Sequence, residues 1–154
     1  MPLCISIPEA DDLRLDHLML DVNGTLTDRG DLIDGVEERL GRLRDALHIK
    51  LVSADTFGTV DAIARHLQVD AERAPTGPHK LWALDLLGRD RCAVIGNGAN
   101  DALVLEAAAL GVAVLGPEGT STAALRAADV VCRSVADALD LLLDPQALAA
   151  TLRR

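Results

Sequence analysis

Apolar runs of strand length recur along the chain, each breaking off at small polar residues or glycine before a segment of helical period. His17 to Val22 is stopped by Asn23-Gly24, Ile49 to Val52 by Ser53, and Arg91 to Ile95 by Gly96-Asn97-Gly98. Between them, Val36, Leu40, Leu43 and Leu47 share one helical face while Glu37, Glu38, Arg42 and Arg44 lie elsewhere. Helices are also expected over 59–67, from Pro78 to about Leu87, over 101–110, and near 120–127 and 135–143. Short strands are expected at 69–74, 112–115 and 130–132, and the Leu3–Ile7 run is read as pairing beside the first parallel strand. Strands apolar on both faces, alternating with helices, define an α/β chain with a parallel sheet covered on both sides. The expected architecture is a three-layer α/β/α, Rossmann-like fold, one domain over residues 1–154. In such sheets, polar residues at the carboxyl ends of the strands converge on a crevice where ligands bind. Asp21, Ser53, Asn97 and Asp101 fall there.

Charge narrows the partners. Fifteen Lys plus Arg stand against 24 Asp plus Glu, for a net charge of −9. Phosphate backbones and anionic membranes are held by clustered cations, so neither nucleic acid nor a membrane surface is expected as partner. Any phosphate must be met by a local exception to the global sign. No uninterrupted apolar run approaches a membrane span, and the first residues lack the pattern of a signal peptide. Cys4, Cys92 and Cys132 form no CxxC pair. All three are read as small buried hydrophobes in a cytoplasmic protein. Trp82 and Phe57, the sole aromatics among Phe, Tyr and Trp, are read as core residues.

Four constellations carry chemistry. In Asp21-Val22-Asn23-Gly24-Thr25, Gly24 lets the backbone approach a ligand, although Asp, Asn and Gly also simply end strands. In Ser53-Ala54-Asp55-Thr56 a strand gives way to a helix. Ser53 and the adjoining backbone there can bind a phosphoryl oxygen, while Asp55 or Thr56 can equally cap the helix. In Thr76-Gly77-Pro78-His79-Lys80 a cation sits at a helix start, against the helix dipole; an anionic partner would repair this, and a solvated lysine is the plain alternative. In Gly96-Asn97-Gly98-Ala99-Asn100-Asp101 the oxygens suit Mg²⁺, or else form an Asn-Gly turn followed by an N-terminal helix charge.

The order Asp, Ser, Lys, Asp on successive strand ends and helix starts resembles the haloacid dehalogenase-like (HAD) superfamily. Within it, the chain looks closest to the small soluble proteins akin to the phosphorylation domain of P-type ATPases. That resemblance implies a Mg²⁺-dependent phosphatase acting on a small phosphorylated substrate through an aspartyl phosphate on Asp21. Thr25, Ser53, Ala54 and Lys80 would bind the phosphoryl group, and Lys80 would neutralise its charge. Asp21, the Asn23 carbonyl, Asn97 and Asp101 would hold the metal, directly or through water.

Two departures matter. Phosphatases of this superfamily generally carry Asp where this chain has Asn23, and again where it has Asn97. Because an amide cannot exchange the proton of a general acid or base, turnover should be slow. An attenuated phosphate- or metal-binding regulatory module is the alternative. Too few residues separate Ile33 from Ser53 for a large cap domain, so the site should be open, and self-association would be one way to cover it.

Overall fold

The computed structural model describes residues 2–54 and 58–154. The chain runs through β1 (Leu3–Ile5), β2 (Leu13–Leu15), β3 (His17–Leu20), β4 (Thr27–Asp28), β5 (Asp31–Leu32), α1 (Val36–Leu43), β6 (His48–Ser53), α2 (Val60–Leu67) and β7 (Asp70–Arg73). It continues with α3 (Gly77–Leu87), β8 (Cys92–Gly96), α4 (Ala102–Ala107), β9 (Leu110–Val114), α5 (Thr122–Ala127), β10 (Val130–Cys132), α6 (Val135–Leu142) and α7 (Pro145–Leu152).

Six strands form a parallel sheet in the order β10-β9-β8-β3-β6-β7. Successive side chains of a strand point to opposite faces, and this divides the core in two. Leu18 and Leu20 of β3 join Ile49, Leu51, Ile95 and Val112 under α1, α2, α6 and α7. Met19 turns the other way, with Val52 and Val94, under α3, α4 and α5. The result is the three-layer α/β/α arrangement expected. No described helix is long and apolar enough to cross a membrane.

Three sequence expectations need correction. The opening run does not join the large sheet: β1 pairs antiparallel with β2, Cys4 opposite Arg14, in a sheet of their own. The hairpin buries Ile5 and Leu15 against the first core, which satisfies its apolar residues without a central position. Trp82 is 61% exposed on α3. The inner face of that helix is already filled by Lys80, Ala83 and Leu84, so its aromatic residue turns outward. Cys92 is buried, but Cys132 is only half-buried and Cys4 is exposed; all three are free thiols. The expectations placed on Asp55, Thr56 and Phe57 lie outside the described residues.

Between β3 and α1 the only insertion is the β4–β5 hairpin, joined by Arg29-Gly30. The carboxyl end of the sheet is therefore left without a large cover on this side.

Candidate active site

The strands β3, β6 and β8 lie side by side in parallel register, Leu20 between Leu51 and Ile95. The residues that follow these positions emerge together at one end of the sheet. Asp21 continues β3 and donates its backbone N–H to the Ile95 carbonyl at 3.0 Å. The chain then folds tightly: Thr25, Leu26 and Thr27 all donate backbone N–H groups to the Val22 carbonyl. Gly24 takes φ 75°, a left-handed conformation that costs glycine little. A β-carbon on Gly116 would stand 2.1 Å from the Gly24 carbonyl oxygen, so the loop after β9 closes against this turn only because Gly116 lacks one.

Lys80 reaches the same point from another element. Thr76 caps α3, its hydroxyl accepting the His79 N–H at 3.4 Å, and Pro78 occupies the first turn. Two residues after Pro78, Lys80 turns inward and is 1% exposed. Its Nζ donates to Asp21 Oδ1 at 2.9 Å and to Asp101 Oδ1 at 2.7 Å. The solvated-lysine alternative is thereby excluded. Burial opposes the charge of this amine, but the two aspartates outweigh it and hold the pKa above the ordinary value.

Asp101 serves as a clamp. Its Oδ2 accepts the backbone N–H groups of Asn97 and Gly98 at 3.1 and 2.9 Å, fixing the turn after β8, while Oδ1 faces Lys80. Thr25, fully buried, bridges the other side: its hydroxyl lies 3.1 Å from Asp21 Oδ2 and 3.0 Å from Asn97 Oδ1. Asn97 in turn donates Nδ2–H to the Gly119 carbonyl at 2.9 Å. Burial and the neighbouring Asp101 charge push the Asp21 carboxyl up to about 6, against the pull of Lys80 and Thr25.

Ser53 ends β6 and is buried, with Ala54 half-buried after it, and the Ser53 carbonyl accepts the Ala74 N–H at 2.8 Å. Asn23 lines a cavity of about 430 Å³ beside the turn, with Arg29, Gly30, Thr59 and Glu118. The sequence reading passed over Arg29 and Glu118. Gly30 between Asp28 and Asp31 was a legible turn signal; Glu118 joins the site only because its loop folds across, its Oε2 accepting the Arg29 backbone N–H at 3.0 Å.

The donor chemistry accords with Mg²⁺. Asp21 Oδ2 and Asn97 Oδ1 meet at the Thr25 hydroxyl, and every available donor is an oxygen. With Lys80 charged and both aspartates ionised the cluster is net negative, so an entering phosphate requires added positive charge. Among the described residues no three His, Cys, Asp or Glu side chains group as metal ligands. A cation here would rely on few protein carboxylates plus water and phosphate, a pattern that Mg²⁺ accepts.

No family model matches the chain. An uncharacterised protein of Methanocaldococcus jannaschii is 48% identical over 59 residues, 38% of this chain and 63% of that protein. Copper-transporting ATPase 1 of Rhizobium meliloti is 38% identical over 130 residues, 78% of this chain but 14% of the ATPase. The chain thus spans under two thirds of the length of either relative. Among solved structures, a Streptomyces avermitilis protein assigned to the HAD family of hydrolases superposes with a TM-score of 0.68 at 21% identity, over 89% of this chain and 88% of that one. The 3-deoxy-D-manno-octulosonate 8-phosphate phosphatase of Moraxella catarrhalis, in complex with magnesium, phosphate and the sugar acid, superposes with a TM-score of 0.66 at 16% identity, over 90% and 94%. The chain has the HAD-like fold. On that HAD-like frame Asp21, Lys80 and Asp101 stand at the carboxyl end of the parallel sheet, where ligands of doubly wound folds bind.

Proposed function

We propose that this single-domain chain is a Mg²⁺-dependent phosphatase for small phosphorylated molecules, working through an aspartyl phosphate on Asp21. The observation that carries this reading is the buried ammonium of Lys80 held between Asp21 and Asp101. A buried ion cluster of this kind is weak evidence for stability, since desolvation offsets most of the attraction. Chemistry at the site accounts for its presence.

In the proposed reaction an Asp21 oxygen attacks phosphorus and the bond to the leaving group breaks. Lys80 holds the carboxylate in place and offsets negative charge on the phosphoryl oxygens. Asp101 keeps Lys80 and the Asn97 turn in position, and Thr25 fixes the rotamer of Asp21 through its hydroxyl. Ser53 and the Ala54 backbone, at the end of β6, would bind phosphoryl oxygens. Mg²⁺, held by Asp21, the Asn23 carbonyl, Asn97 and Asp101, directly or through water, would supply the positive charge that the cluster lacks. The Asn23 amide cannot act as a general acid or base, so both halves of the cycle should be slow. The test is hydrolysis of an aryl phosphate with and without Mg²⁺, with Asp21→Ala as background. Activity lost with the metal or with Asp21 supports the reading; turnover that survives both overturns it.

The neutral Asn23 and Asn97 favour one second reading, an attenuated module that binds phosphate or metal without turnover. Calorimetric Mg²⁺ or phosphate binding with no hydrolysis at any Mg²⁺ concentration would select it.

A further inference from the structure

The phosphatase reading, on which the following rests, leaves open what the phosphoryl group is attached to. The cavity beside the nucleophile turn is lined by Asn23, Arg29, Gly30, Thr59 and Glu118, and its roughly 430 Å³ leaves room for a small leaving group. Among the described residues that line it there is no histidine, cysteine or lysine. An amide and a guanidinium keep their protons near neutral pH. Glu118 is turned as an acceptor toward the Arg29 N–H. Among the described residues, a group departing into this cavity therefore meets Glu118 as the one carboxyl, with its Oε2 already engaged by the Arg29 N–H. An alkoxide is about as basic as hydroxide and departs poorly without a proton. A carboxylate, with a conjugate acid near ~4, departs readily without one.

Arg29 adds a receptor for such an anion. It and Gly30 are the central residues of the β4–β5 turn, with φ 49° and 93°. A two-residue hairpin with positive φ at both positions is best served by Asn or Asp followed by Gly. A long side chain in the left-handed region is conformationally unfavourable, and residues kept in such conformations cluster at functional sites. The Arg29 side chain is 74% exposed and uses Nη1 on Asp28 at 2.6 Å, which leaves most of the five guanidinium donors for a second carboxylate. The Arg29 backbone N–H meanwhile ties the turn to Glu118 across the mouth.

We propose that the substrates are acyl phosphates, and that Arg29 and Asn23 receive the carboxylate as it leaves. In the first step an Asp21 oxygen bonds to phosphorus while the bond from phosphorus to the acyl oxygen breaks. The electron pair departs with the carboxylate and no proton moves. Water then attacks phosphorus and the bond to Asp21 breaks, giving phosphate, the free Asp21 carboxylate and one proton released to solvent. The first step exchanges one acyl phosphate for another and is close to thermoneutral; the same transfer from an alkyl ester runs uphill.

The experiment compares acetyl phosphate, p-nitrophenyl phosphate and ethyl phosphate with the full chain in Mg²⁺. It reads phosphate release and, after acid quench, the Asp21 adduct by mass spectrometry. Acetyl phosphate should exceed ethyl phosphate by about 100-fold or more in kcat/KM, in line with an amide at position 23 in place of a general acid, and should label Asp21. Arg29→Asn suits the turn, so its melting temperature should hold or rise. The same variant should lower acetyl phosphate kcat/KM by about tenfold, a larger loss than for the aryl ester, and Arg29→Lys should recover part of it. Acetyl and ethyl phosphate turned over equally, alongside Mg²⁺- and Asp21-dependent aryl hydrolysis, would overturn the inference and leave the phosphatase reading standing. A folded Arg29→Asn protein with unaltered acetyl phosphate kinetics would do the same. Failure of all three substrates overturns both.

Discussion

Asn23 and Asn97 each place an amide where a carboxylate would change the chemistry of the site. Asn23→Asp puts a proton carrier at the rim of the cavity, and aryl and alkyl phosphate turnover should rise, by up to ~10²–10⁴-fold for the leaving groups that most need protonation. An unchanged rate in the folded variant would remove position 23 from the reaction. Asn97→Asp has two opposed effects. It exchanges the Nδ2–H donated to Gly119 for an oxygen facing that carbonyl, and it adds negative charge near Asp21. In EDTA its melting temperature should therefore fall, whereas Mg²⁺ should bind about tenfold tighter by calorimetry, worth about 1.4 kcal/mol. Asp21 itself sets a pH dependence. With its carboxyl held at about 6 in the absence of metal, Mg²⁺ must displace a proton below that pH, so Mg²⁺ affinity by calorimetry should climb as pH rises through it. The folded form keeps a proton that the unfolded chain has already released, so this group's contribution to stability falls as pH rises from about 4 to 6. Asp21→Asn should flatten that part of the melting profile and, without metal, melt higher than the parent at pH 7.5.

Among the elements, α3 and the loops around β3 do most to build the site. The sequence pattern from Pro78 to about Leu87 predicted the helix with its proline in the first turn; the structure runs it over Gly77–Leu87 and adds Thr76 as its cap. Thr76→Ala removes the acceptor for the His79 N–H and should cost about 1 kcal/mol, read as a lower urea midpoint at unchanged slope. What the helical pattern could not tell is which face is buried, because α3 is apolar on both sides. It buries Lys80 and leaves Trp82 and Leu86 outside. The turn after β3 depends on its neighbour rather than on itself alone. Gly116→Ala would set a β-carbon against the Gly24 carbonyl, so the nucleophile loop must shift. Hydrolysis should drop by an order of magnitude or more while the sheet core stays folded, since misplacing a reacting group by ~1 Å costs about 10²-fold.

At the scale of the molecule, a net charge of −9 surrounds a site that must admit anions. Raising ionic strength to about 0.15 M shortens the Debye length to roughly 8 Å, and KM for phosphate substrates should fall over that range. A KM that rises instead would point to attraction by cations at the mouth outweighing the overall repulsion. The strand and helix alternation, the two-sided apolar strands and the polar residues at strand ends were all legible in the chain. Each is a local pattern, governed by backbone periodicity and by what burial requires of neighbouring residues. The pairing of Lys80 with both aspartates was not legible, nor was the bridge from Thr25 to Asn97 across 72 positions, nor the meeting of Arg29 with Glu118. The opening run was misplaced for the same reason. A three-residue apolar strand can be satisfied by any edge that buries it, and only the folded sheet decides which edge is free. Sequence determined the architecture, because its signals act over a few residues. Tertiary structure decided the charge state and contacts of the site, because those come from groups that the parallel crossovers bring together from distant parts of the chain.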